Sequence, residues 1–321
     1  MNDKKGINEF WKTGFTEKEA ILPDGTILNY GVGPANGKTP LLLIHGQTLN
    51  WKNYWPVLKG LAKDFHIYAP DCHGHGKSCK NPDKYKAKEM GRDFIWFIEN
   101  VIGQPAIVSG HSSGGLLTAW IAANAPNNVK GIVLEDPPFF STEKGERWEK
   151  SFAYVDIYEP MHRFLNQTEE KDWELFYLKN AYWGRLAGEK GMEKMIKYAQ
   201  KYRADHPNQP LRFSFLPNSV NSMFASMDKY DLLFGEAFYN STWFEDFDQA
   251  KTLSEINCPS VLIHTKWLID ENGILLAAMS GEDAQRAHEL IKNNELVQIN
   301  SGHNVHYEKP DELIACFKSL R

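Results

Sequence analysis

Apolar runs of four to seven residues recur in two parts of the chain, and amphipathic stretches with helical spacing alternate with them. The runs are 40–45, 66–70, 105–110, 129–135 and 260–264, and a partly alternating run follows at 296–300. Such short, wholly apolar segments read as strands buried on both faces. Helical patterns lie near 52–63, 86–103, 113–125, 282–292 and 310–320, and Pro23-Asp24-Gly25 marks a hairpin ahead of the first run. This order predicts an α/β fold: a mostly parallel sheet covered by helices on both faces, with an antiparallel hairpin at its front. Ligands of such sheets bind beyond the carboxyl ends of the strands.

Residues 137–258 break the pattern. They contain no further buried strands, and they hold more than half of the aromatic residues in little more than a third of the length. Trp148, Phe152, Tyr154 and Tyr158 keep helical spacing, as do Trp173, Phe176 and Tyr177. The stretch reads as a helical cap inserted between the sixth and seventh strands. The domain division is then 1–136 for the first part of the core, 137–258 for the cap and 259–321 for the second part of the core. Most of these rings pack the cap, and a minority line an apolar pocket. Trp183 and Phe224 are taken as substrate-contacting candidates.

Charge narrows the choice of partners. With 36 basic and 41 acidic residues, the chain offers neither a nucleic-acid surface nor a membrane anchor. Four cysteines stand far apart except Cys72 and Cys79, and the first residues resemble no signal peptide, so reduced thiols in the cytoplasm are expected. Nothing in the sequence fixes the oligomeric state.

The chemistry concentrates where strands end. Gly110-His111-Ser112-Ser113-Gly114 joins an apolar run to a helical pattern, and a serine at such a sharp corner is lifted above the sheet as a nucleophile. Upstream, His45-Gly46-Gln47-Thr48 follows another strand, and the main-chain N–H groups of Gln47 and Ser113 are expected to form an oxyanion hole. Downstream, Ser301-Gly302-His303 follows the last strand. His303 is taken as the general base, with His306 as its competitor, because Gly302 lets the loop turn back. The whole expectation requires the Ser112 hydroxyl to stand within reach of an imidazole from the far end of the chain.

In these landmarks and their order, with Asp71-Cys72-His73-Gly74-His75-Gly76-Lys77-Ser78 between the first two, the chain resembles the α/β-hydrolase superfamily from about residue 18 onward. The resemblance implies a Ser–His–acid triad with no metal or organic cofactor. Many relatives carry the acid just beyond the seventh strand, where this chain has Leu268, with Asp270 and Glu271 following. Other branches, among them zearalenone-type lactone hydrolases, carry it after the sixth strand, where Glu135-Asp136-Pro137-Pro138 stands. Neighbouring strand residues point to opposite sides, so only one of the pair can meet the imidazole. Asp136 is chosen, with Asp270 second and Glu135 third. Cys72, His73 and His75 also suggest zinc ligands, but they lack a fourth ligand at a convincing spacing.

The expected function is therefore that of a serine hydrolase acting on a small apolar carboxylic ester or lactone through an acyl-enzyme. Carbon–carbon bond hydrolysis, perhydrolysis or acyl transfer on the same triad stays open, as does a non-catalytic small-molecule receptor of the same fold.

Overall fold

The computed structural model describes residues 14–35 and 37–320. Eight strands form one sheet: β1 (Thr16–Ile21), β2 (Ile27–Gly33), β3 (Thr39–Ile44), β4 (Phe65–Pro70), β5 (Ala106–His111), β6 (Val129–Glu135), β7 (Ser260–His264) and β8 (Asn294–Gln298). Their order is β1-β2-β4-β3-β5-β6-β7-β8. β1 pairs antiparallel with β2, and β2 with β4; every later pairing is parallel. The α/β architecture with a frontal hairpin thus follows the apolar pattern of the sequence.

Alternation along the central strands feeds two cores. Leu42 and Ile44 of β3 face the helices Ala87–Phe97 and Ser113–Asn124, whereas Leu41 and Leu43 face Trp55–Leu61 and Pro310–Lys318. A strand filled with apolar residues on both sides can sit only between two helical layers. The chain steps from β3 to β4 on one side and later to β5 on the other, so a crevice opens beyond the carboxyl ends of β3 and β5. The loops bearing Gln47 and Ser112 leave the sheet there.

Two boundaries differ from expectation. The last strand lies at Asn294–Gln298 rather than 296–300. It is an edge strand paired only with β7, so its partly exposed residues carry a weak pattern. The helix expected over 86–103 is α-helical to Phe97, passes into a π turn at Ile98–Ile102, and stops at Gly103, whose φ of 75° no other residue type adopts as cheaply.

Between β6 and β7 the regular elements of the described chain are helices joined by irregular loops, and Ser151 makes one isolated bridge to Leu275 beyond β7. The helix Asn218–Met227 is two-sided. Phe224 packs on Tyr177 and Phe213 within the insertion, while Ser222 and Ser226 hydrogen-bond Asn53 and Asn50 of the sheet domain at 2.8 and 2.9 Å. Tyr307 also donates to Ser222, at 2.8 Å.

Candidate active site

β5 runs directly into the helix Ser113–Asn124, and Ser112 makes the corner with φ 55° and ψ −123°. A non-glycine residue in that region carries about 1–3 kcal/mol of strain, which the surrounding chain must enforce. Two glycines allow it. A Cβ on Gly110 would lie 2.0 Å from the Gly114 carbonyl oxygen, and one on Gly114 would lie 2.2 Å from that of Ile44. The Ser112 N–H is held by the Glu135 carbonyl at 3.0 Å. Its side chain is partly exposed, and Oγ makes no hydrogen bond among the described residues. Catalytic hydrogen bonds often tighten only once substrate is bound.

The loop after β3 lies against this corner. A Cβ on Gly46 would come within 2.9 Å of Ser112 Cβ and 2.8 Å of His111 Nδ1, so glycine is what permits the approach. Gln47 and Ser113 are both buried, and among the described residues neither main-chain N–H has an acceptor. Tyr230 of the helical insertion donates its hydroxyl to Gln47 Oε1, leaving the Gln47 side-chain amide nitrogen buried and unpartnered. The cavity touching Ser113 and Gly114 measures about 10 Å³. That is about the space of one water molecule. A cleft of about 860 Å³ opens elsewhere, beside Asn124, Lys251 and Arg286.

Asp136 follows β6 in a left-handed conformation, φ 46°, and is completely buried. Its Oδ2 accepts from His303 Nδ1 at 2.7 Å and from the Thr265 hydroxyl at 2.9 Å. The Thr265 N–H reaches Oδ1 at 3.3 Å. Thr265 follows β7, so that strand supplies a holder for the carboxylate. Sequence reasoning missed this residue, since a threonine after a strand carries no distinctive spacing. Burial opposes protonation of His303, but the Asp136 hydrogen bond and charge, with Glu135 and Glu308 adding to them, hold its pKa above the ordinary histidine value. The His303 side chain remains 38 % exposed.

The other candidates lie apart from this pair. Asp270 sits in the turn after β7, where it accepts from the Tyr182 hydroxyl and from the N–H groups of Asn272 and Ile274. Glu135 accepts from His306 instead, at 2.9 Å from the main-chain N–H and 2.7 Å from Nδ1. His111, Glu135 and His306 each bring one potential metal ligand atom within 4.8 Å of the others. The 2.7 Å separation is nevertheless that of a hydrogen bond, and two ligand atoms on a tetrahedral zinc stand about 3.3 Å apart when their bonds are about 2.0 Å. Cys72, His73 and His75 have other partners: His45, after β3, accepts from the Cys72 N–H, His73 pairs with Asp93 of the helix Ala87–Phe97, and His75 bonds the His73 carbonyl. Trp183 is partly buried and donates its main-chain N–H to Asp156, whereas Phe224 is wholly buried inside the insertion.

Comparison with known proteins follows the geometry. A family model described as alpha/beta hydrolase fold matches residues 39–156. The chain is 27 % identical to (E)-2-((N-methylformamido)methylene)succinate hydrolase of Acinetobacter baylyi, over 40 % of this chain and 52 % of that one. It is 28 % identical to pimeloyl-[acyl-carrier protein] methyl ester esterase of Aliivibrio salmonicida, over 41 % and 49 %. The chain therefore matches about half the length of these curated relatives. Among solved structures, the enol-lactonase from Burkholderia xenovorans LB400 superposes with a TM-score of 0.62 at 16 % identity, covering 94 % of this chain and 99 % of that one. An esterase from Rhodococcus sp. ECU1013 gives 0.65 at 20 %, covering 94 % and 97 %. At such identities the likeness concerns the fold.

Proposed function

From the α/β-hydrolase fold, which this chain has, we propose that it works as a serine hydrolase cleaving a small apolar carboxylic ester or lactone through an acyl-enzyme. The observation that carries the reading is the 2.7 Å contact between buried Asp136 and His303, on a loop bonded to the residue before the strained Ser112. Asp136 accepts the Nδ1 proton, which leaves the His303 Nε2 lone pair free for the Ser112 hydroxyl. Ser112 Oγ attacks the carbonyl as its proton passes to Nε2, and the imidazolium is stabilised by Asp136. The uncommitted N–H groups of Gln47 and Ser113 take the oxyanion. His303 then returns the proton to the leaving oxygen, and water, deprotonated by the same imidazole, releases the acid.

The chain divides in this reading into a core of residues 1–136 and 259–321 and a cap of 137–258. Trp183 is the better candidate for an apolar contact, because Phe224 is consumed in cap packing. The ester or lactone preference draws support from the named activities of the esterase and enol-lactonase relatives. Free thiols at all four cysteines fit a cytoplasmic setting. No described helix is long and apolar enough to cross a membrane.

The test is covalent labelling with a fluorophosphonate together with turnover on a graded panel of aryl and alkyl esters and lactones. Ser112→Ala is expected to abolish labelling and to lower kcat on the order of 10⁴-fold. A variant that still labels and turns over defeats the reading.

A further inference from the structure

The triad accounts for one carboxylate and one imidazole, yet the same loop and the same strand end supply a second pair. Glu135 and Asp136 are consecutive, the last residue of β6 and the first beyond it, and each bonds its own histidine. Asp136 holds His303, and Glu135 holds His306, three residues further on. Glu135 and His306 side chains are 0 % and 1 % exposed. A carboxylate and an imidazole buried this deeply are a poor source of stability, since apolar residues of equal volume often do as well or better. The geometry of the pair points to another task.

Glu135 grips both halves of the site. Its main-chain carbonyl accepts the Ser112 N–H at 3.0 Å, and its carboxylate accepts two hydrogen bonds from His306. His111, paired across the strands with Glu135, bonds the His303 carbonyl through Nε2 at 3.1 Å. The segment 303–306 is thereby fixed at its first residue and at its last. His306 is also the second residue of the short helix Val305–Glu308, so holding its N–H and ring fixes the first turn of that helix.

We propose that the Glu135–His306 pair is a positioning device that sets the His303 imidazole against Ser112 and keeps a buried negative charge beneath it. The proposal rests on the reading of Ser112 and His303 as the reacting groups. Neither Glu135 nor His306 touches the reacting atoms. The charged or titratable groups facing His303 are Asp136 and Glu135 from β6, His111 from β5, and His306 and Glu308 from the short helix. His111, its pKa well lowered by burial, stays neutral. The carboxylates therefore raise the proton affinity of His303 against the effect of burial.

Two substitutions separate charge from tether. Glu135→Gln keeps an acceptor for His306 and removes the charge. It is expected to fold, to hold KM, and to move the acid limb of the kcat/KM profile to lower pH, since the Glu135 charge favours protonated His303. Glu135→Leu removes the tether as well, and a displacement of about 1 Å at His303 lowers kcat about 10- to 100-fold at unchanged KM, with fluorophosphonate labelling slowed in parallel. Should the leucine variant fail to fold, His306→Asn reads the same loop and is expected to lower kcat, again at unchanged KM. An acid limb unmoved in Glu135→Gln overturns the proposal, and so does wild-type kcat in a folded Glu135→Leu or His306→Asn. Ser112→Ala is the control: if it keeps labelling and turnover, the catalytic reading itself falls, and the proposal with it, by a result distinguishable from an unmoved limb.

Discussion

Asp136 Oδ2 stands 2.7 Å from His303 Nδ1 although 166 residues separate them in the chain, and the same oxygen also accepts the hydroxyl of Thr265. A carboxylate held at both oxygens cannot rotate away from the imidazole, so the tautomer with Nδ1 protonated is enforced by the end of β6 and by the residue after β7 together.

Replacing this acid is expected to be far more costly than replacing its rival. Asp136→Asn turns an acceptor into an amide facing Nδ1 and is expected to lower kcat about 10⁴-fold, as loss of the correct tautomer does. Asp270→Asn loosens a turn fastened to Tyr182 and is expected to leave kcat within about threefold, because surface changes are usually small. Steady-state kinetics on both variants decide the matter, and a large loss confined to Asp270→Asn reverses the assignment.

The pH profile follows from the same contact. Asp136 favours protonated His303, so the base becomes available only above the ordinary histidine value of about 6.5. The acid limb of kcat/KM is expected to have its midpoint above that pH, and titration of the His303 ring protons by NMR should give the same value. Asp136→Asn removes the charge that sustains the shift and is expected to lower the ring's titration midpoint.

Asp156 supplies a stability test remote from the chemistry. Burial raises its pKa from 3.8 to about 6, against the hydrogen bonds from the Trp183 N–H and the Tyr177 hydroxyl. The native state therefore holds this proton more tightly than the unfolded chain. The stability it contributes is complete below about pH 4 and is lost as pH rises to about 6, a change of about 3 kcal/mol at most. Asp156→Asn retains an acceptor for Trp183, and the Tyr177 hydroxyl can turn to accept from the new amide. The variant is expected to melt higher than wild type above pH 6 and to lose that advantage near pH 4. Thermal melts at the two pH values check this, and an advantage independent of pH contradicts it.

What could be read beforehand was what the backbone itself demands. The Ser112 corner announces itself because Gly110 and Gly114 sit where any side chain would strike main-chain oxygens, and such demands leave a fixed spacing. The central strands announce themselves because they are apolar on both sides. Other features arise from meetings between distant segments, which leave no period in the sequence: Thr265 on Asp136, Tyr230 on Gln47, and Glu135 on His306. The choice between Glu135 and Asp136 lay between these cases. Strand alternation indicated that only one of them could face His303, but not which.

The hydroxyls of Ser222 and Ser226 on the helix Asn218–Met227 decide what kind of seam this helix makes with the sheet domain. Contacts between hydroxyls and amides can be exchanged one for one with solvent at small net cost. The face that Asn50 and Asn53 present to this helix is therefore a wettable one, and it would not become a sticky surface if water took the place of the two serines. The greasy side of the helix, carrying Phe224, is spent instead on Tyr177 and Phe213.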